Sequence, residues 1–106
     1  MATSKEYHDY IKEYLSSFGD IRTRKMMGEY LVYYREKLIG NICDNMLFIK
    51  KTNTSKRLLS DCELDYPYKG SKTLMYVVED IESINIEELL EGMYKEIATK
   101  EKNEKS

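Results

Sequence analysis

Apolar positions recur with two different periods along the chain. Tyr7, Tyr10, Ile11, Tyr14, Leu15 and Phe18 fall at i, i+3, i+4, i+7, i+8 and i+11, one continuous stripe of an α-helix. Ahead of it Thr3-Ser4-Lys5-Glu6 matches a capping box, with Thr3 as the cap, and Gly19 is placed to end the helix. Three tyrosines keep the edges of the stripe wet, because a buried phenol needs a hydrogen-bond partner. The helical period returns at Ile86, Leu89, Leu90, Met93, Tyr94 and Ile97. There Asn85 is the N-cap, Glu88 holds the capping-box position, and Ile84 with Leu89 forms a hydrophobic staple. Gly92 inside this helix costs about 1 kcal/mol against Ala and reads either as allowing close packing or as simply tolerated.

Between the helices the period drops to two. Residues 21–27, 30–34, 37–43 and 46–50 read as four strands, joined by Met27-Gly28, Arg35-Glu36 and Asp44-Asn45. Asp and Asn tolerate the positive φ of a two-residue hairpin turn, whereas neither Arg35 nor Glu36 favours it. Residues 53–61 predict a short helix with Leu58 and Leu59 turned inward, and 64–72 a loop pinned by Pro67 and Gly70. Residues 73–78 are a fifth strand whose near-continuous apolar run suits the interior of a sheet. The order α-β-β-β-β-α-β-α predicts an α+β fold, a two-layer sandwich with helices on one face of a five-stranded antiparallel sheet. Residues 1–98 make one domain, and the mixed charges of 99–106 a frayed tail.

Nineteen acidic against seventeen basic residues give a net charge of −2, without the basic excess that phosphate neutralisation asks for. Direct nucleic-acid binding is therefore not expected. Arg22, Arg24, Lys25, Lys50, Lys51, Lys56 and Arg57, set among tyrosines, keep a nucleic-acid or small-ligand module as the alternative. Cys43 and Cys62 fit no disulfide framework or zinc spacing and read as small core hydrophobes in a reducing cytoplasm. No apolar run approaches the roughly 20 residues of a membrane span, and the N-terminus lacks an apolar signal core. The expectation is a cytoplasmic protein with no membrane partner.

Chemistry-bearing motifs are sparse. His8, the single histidine, sits beside the first stripe and reads as a surface residue. No serine or cysteine has a base at recognisable spacing, and neither a glycine-rich phosphate loop nor a metal-ligand cluster is present. No cofactor is expected, and an enzyme built from Tyr, Glu and Lys ranks third. The ten tyrosines are the unusual composition. Tyr33, Tyr34, Tyr66, Tyr68 and Tyr76 cannot all face inward, and tyrosine is favoured at interfaces. A protein partner is expected, with a homodimer along the sheet as one form of it.

Arg24-Lys25-Met26-Met27-Gly28-Glu29-Tyr30, followed by Val32-Tyr33-Tyr34, resembles the signature of the TfoX N-terminal domain family. The likeness continues through Leu38-Ile39-Gly40-Asn41-Ile42, Asp44-Asn45 and Leu47-Phe48-Ile49-Lys50, and resumes at Pro67-Tyr68-Lys69-Gly70-Ser71-Lys72. Glu29 and Leu31 stand at glycine positions of that signature, Met27 replaces the commoner Phe, and Glu36 stands where relatives often have a turn glycine. The resemblance implies a fold like that of secretion chaperones and a non-enzymatic regulatory role. The family includes a positive regulator of competence genes that works with the cyclic-AMP receptor protein. The chain ends where that regulator's second domain would begin, so a stand-alone member is expected. The candidate interaction residues are Arg24, Met26, Gly28, Glu29, Tyr33, Lys50, Pro67 and Gly70. With Met27-Gly28 as the turn, Arg24 and Glu29 share a face and read as a charge pair fixing register, and Gly28 supplies the positive φ.

Overall fold

The computed structural model describes the backbone of residues 3–105 and the side chains of residues 3–97. Helix α1 (Lys5–Ser16) leads into β1 (Ile21–Met26), β2 (Glu29–Tyr34), β3 (Lys37–Cys43) and β4 (Met46–Ile49). Then follow α2 (Asn53–Leu58), β5 (Leu64–Asp65), β6 (Met75–Val78), a 3-10 turn at Ile81–Ser83, and α3 (Ile86–Lys105). The strands form one antiparallel sheet in the order β1-β2-β3-β4-β6-β5.

The expected α+β architecture is present, with one strand more than the sequence pattern predicts. Leu64 and Asp65, expected in a loop, pair with Tyr76 and Met75 as a two-residue edge strand. All four residues of β6 are buried, so its outer side needs partners for its backbone groups. The backbone of the expected frayed tail is helical as far as Lys105, while side chains beyond Ile97 and residue 106 lie outside the described residues.

Alternation along the strands sends Val32, Tyr34, Ile42, Leu47, Ile49, Tyr76 and Val78 to one face. A register shift between Val32 and Tyr33 marks a bulge, and Ile39 joins the same core. These side chains meet Ile11 and Leu15 of α1, Leu59 behind α2, and Ile86, Leu89, Leu90, Met93 and Ile97 of α3. All three helices thus cover one face. Leu59 takes the full burial at the end of α2, while Leu58 is only half-buried against the core.

The helix ends differ in detail from the expected caps. Ser4, not Thr3, caps α1, its Oγ accepting from the Tyr7 amide at 3.1 Å. Thr3 is buried and ties two hairpin tips together: its amide donates to the Gly28 carbonyl at 3.0 Å, and its Oγ1 accepts from the Asn45 amide at 3.3 Å. Gly19 is not a left-handed cap. A Cβ there would stand 2.4 Å from Cε1 of Tyr34, so the bare Cα makes room for a buried ring. At α3 the expected N-cap forms, with Asn85 Oδ1 accepting from the Glu88 amide at 3.1 Å. Gly92 does permit close packing: a Cβ would lie 2.3 Å from Thr54 Oγ1 on α2.

Each of the three two-residue turns is left-handed: Met27 and Gly28 at φ 44° and 88°, Arg35 and Glu36 at 49° and 68°, Asp44 and Asn45 at 51° and 58°. Their twist matches that of the strands they join, so the sheet imposes the conformation even on Arg35 and Glu36.

Candidate functional site

The opposite residues of the same strands form the outer face. Cys43, Phe48, Met75 and Val77 make a small buried cluster there, with Met46 packed against it. The loop after β5 reaches over this face at Cys43. Pro67 is buried, while Tyr66 and Tyr68 on either side of it are about half exposed. Beside the loop lies a cleft of about 480 Å³ lined by Met27, Gly28, Glu29, Cys43, Asp44, Pro67, Tyr68 and Lys69.

Three of the candidate residues, Gly28, Glu29 and Pro67, therefore converge, although they lie far apart in the chain. The rigid turn at Gly28, tied to Thr3, fixes one wall. Asp44 on the neighbouring turn supplies a second carboxylate beside Glu29, and Lys69 a cation. Burial, and after it the nearby Glu29 carboxylate, push the Cys43 thiol up to about 12. The thiol is protonated at neutral pH and turned to Glu29 as a weak donor, so it is no nucleophile.

The other candidates are placed differently. Met26 pairs with Glu29 at the end of β1 and is half exposed. Arg24 and Tyr33 line a separate shallow dent of about 330 Å³ with Arg22, Thr23 and Glu36. Lys50 and Gly70 line neither depression. The Lys50 amide donates to the Ile39 carbonyl at 2.9 Å, and its own carbonyl accepts from Ser55 Oγ at 2.7 Å. Gly70, at φ 95°, turns the loop. The expected charge pair of Arg24 and Glu29 does not form. Register puts Arg24 opposite Leu31, as expected, but Arg24 is exposed while Glu29 faces Cys43 at the end of the neighbouring β3.

Sequence reasoning missed Met27, Cys43, Asp44, Tyr68 and Lys69 as cleft residues. Tyr68 and Lys69 lay inside the Pro67–Gly70 segment already singled out, which was the available signal. His8 is also not the surface residue expected. Its side chain is 12% exposed, its ring stacks on Tyr30 at 3.9 Å, and Nε2 lies 2.8 Å from Thr23 Oγ1 with Nδ1 2.9 Å from Asp9. Nε2 and the ring face thereby seat α1 on the β1–β2 hairpin, while Nδ1 stays with Asp9 on α1 itself. Of the five singled-out tyrosines, Tyr34 and Tyr76 face the helices, Tyr66 and Tyr68 lie on the loop after β5, and Tyr33 alone stands on the outer strand surface.

Among the described residues no helix is long and apolar enough to cross a membrane. No group of three or more His, Cys, Asp or Glu side chains among them is placed to hold a metal ion.

Comparison with known proteins adds two findings. The model of the TfoX N-terminal domain matches residues 13–93. An uncharacterized 12.7 kDa protein in the trpE 5′ region of Spirochaeta aurantia is 31% identical over 81 residues, which are 76% of this chain and 70% of that protein. No solved structure matches significantly.

Proposed function

The chain belongs to the TfoX N-terminal domain family, and from that premise we propose that it is a non-enzymatic regulatory module that grips a protein partner at the outer face of its sheet. The setting is cytoplasmic, where Cys43 and Cys62 stay reduced, and the regulation is of transcription, as for the family's competence regulator.

One observation carries the reading. Met27 is 100% exposed at the tip of a rigid left-handed turn, and it lines the same cleft as the half-exposed Tyr68. Met and Tyr are enriched in the cores of protein interfaces, and the carboxylates of Glu29 and Asp44 with the Lys69 ammonium make the polar rim such a core needs. Burying Met27 against a partner is worth about 1.5–3 kcal/mol. The protonated Cys43 thiol favours binding over catalysis. Single-stranded nucleic acid has less support, because a stacking platform needs a row of open rings, and among the described residues the outer strand surface carries Tyr33 and the buried Phe48.

The test is capture from the source cell with the native chain and with the double variant Met27→Ser, Tyr68→Ser. The native chain retains a discrete protein partner and the variant loses it at an unchanged melting temperature. Retention of the same partner by the variant overturns the reading. Gel filtration separates the remaining protein occupant, a second copy of the chain.

A further inference from the structure

We propose that the free edge of β1 takes an extended acidic segment of the protein partner as a seventh strand. β1 ends the sheet and is six residues long, whereas the strand at the opposite end, β5, has two. A long unpaired edge is a template for another chain.

The geometry of the first hairpin says which groups are on offer. In a two-residue hairpin the flanking pair, here Met26 and Glu29, exchanges both backbone hydrogen bonds. Alternation then makes Arg24 with Leu31 and Arg22 with Tyr33 the other bonded pairs. The N–H and C=O groups of Ile21, Thr23 and Lys25 consequently point away from the sheet. None of the backbone hydrogen bonds between elements uses them, among the described residues.

Charge selects the occupant. Arg22, Arg24 and Lys25 lie exposed within this one strand. Arg24 has no carboxylate within ion-pair distance among the described residues, and Arg22 reaches Glu36 only at 3.9 Å. A second β1 laid antiparallel would bring cations against cations, which destabilises cross-strand pairing. An incoming strand with Asp or Glu at alternate positions meets Arg22 and Arg24 on the outer face. A further acidic side chain on the other face meets Lys25. The alternating free N–H and C=O groups of the edge find both their complements in a peptide backbone, whereas a phosphate backbone offers acceptors alone, which favours a carboxylate-bearing peptide over a nucleic acid. The strand runs directly into Met26 and Met27, so its occupant reaches the cleft. The inference thus rests on the protein-binding reading and names the chemistry of the partner.

The probe is a short capped peptide alternating Glu and Val, titrated into the full isotope-labelled chain. Amide shifts and slowed hydrogen exchange concentrate at Ile21, Thr23 and Lys25, and binding weakens as salt rises. Arg24→Glu lowers affinity about tenfold or more, and a Lys-Val peptide then binds the Arg22→Glu, Arg24→Glu chain better than the native one. A peptide N-methylated at its pairing amides does not bind, and this control leaves the protein untouched. Equal binding of the methylated peptide overturns the proposal, as do shifts centred elsewhere. It also fails if single-stranded RNA moves the same amides at lower concentration, or if the native chain self-associates through β1. In the capture experiment, a partner lost by Met27→Ser, Tyr68→Ser but kept by Arg24→Glu overturns the edge inference alone and leaves the protein-binding reading standing.

Discussion

The sheet has the same backbone on both sides but is closed in two different ways. On the inner side Val32, Ile39 and Ile42 are sealed beneath three helices, and the apolar stripes of α1 and α3 supply most of the cover. On the outer side Cys43, Phe48, Met75 and Val77 form a cluster of four against the eighteen buried residues of the inner core, and a loop in which Pro67 is buried and its neighbours are not reaches over it at Cys43. A loop laid on a sheet excludes water locally and leaves a rim. The inner face therefore carries the stability of the fold, while the outer face is only stable enough to hold the cleft in shape.

The largest effect expected from this division is at Leu90, 1% exposed on α3. Leu90→Ala costs about 2–5 kcal/mol, as for other fully buried leucines. Val77→Ala in the outer cluster costs about 1–2 kcal/mol, because it removes two buried methyl groups from a four-residue cluster rather than from the main core. Urea unfolding measures both, and equal costs would break the comparison. Gly92→Ala comes next, at about 1–3 kcal/mol, since its Cβ would collide with Thr54 in the α2–α3 contact. Adding Thr54→Ala recovers part of that loss if the collision is its cause.

The outer cluster has a pH signature of its own. The Cys43 thiol is raised from an ordinary 9.0 to about 12, chiefly by burial. The unfolded chain loses this proton first, so the stabilisation is whole below 9.0 and is lost as pH climbs toward 12. The difference between the native chain and Cys43→Ala should fall by about 1.4 kcal/mol per pH unit in that window. Urea midpoints taken through it provide the measurement, and parallel curves would mean that the outer face is open to water. Gly28→Ala follows, costing somewhat more than about 1 kcal/mol because φ is 88°. An unchanged melting temperature would show that the tip beside the cleft is not rigid.

The inner face was legible in the sequence because it is made by periodicity. The whole α3 stripe packs where the spacing puts it, and of the α1 stripe Tyr7, Ile11, Tyr14 and Leu15 do, while Tyr10 and Phe18 at its edge stay exposed. The turns were legible as positions, and Asp44-Asn45 also as chemistry. Gly28 was legible as the residue that accepts a positive φ, whereas Met27, Arg35 and Glu36 needed the sheet to impose what they do not prefer. The outer face was not legible. Pro67 approaches Cys43 and Gly28 through contacts between distant parts of the chain, for which no local pattern exists. Family-motif residues stood out as words, yet nothing in their spacing brought Gly28, Glu29 and Pro67 together or set Arg24 and Tyr33 apart. The two-residue β5 is too short to show alternation. Thr3 and Ser4 are both good caps, so only the tie from Thr3 to Gly28 decides between them.

The smallest expected effect lies where one turn is divided between the faces. Arg35 and Glu36 both have positive φ, so glycine at either site removes a similar strain. Their side chains go opposite ways. The Arg35 guanidinium lies 5.1 Å from the Tyr34 ring centroid, 5.4 Å from that of Tyr94, and 3.4 Å from Glu91 on α3. Glu36 leans to the outer dent, where its one ionic neighbour is the exposed Arg22 at 3.9 Å, a contact of little value in water. Glu36→Gly should therefore stabilise by about 0.5 kcal/mol, strain relief exceeding the added chain entropy. Arg35→Gly gains the same relief and loses the cation–π contacts and the ion pair, so it should destabilise by about 0.5 kcal/mol. Opposite shifts of the two urea midpoints would place the boundary between the faces inside this turn. Equal shifts would mean that Arg35 contributes no more to the inner side than Glu36 does to the outer, and that the turn belongs to neither face.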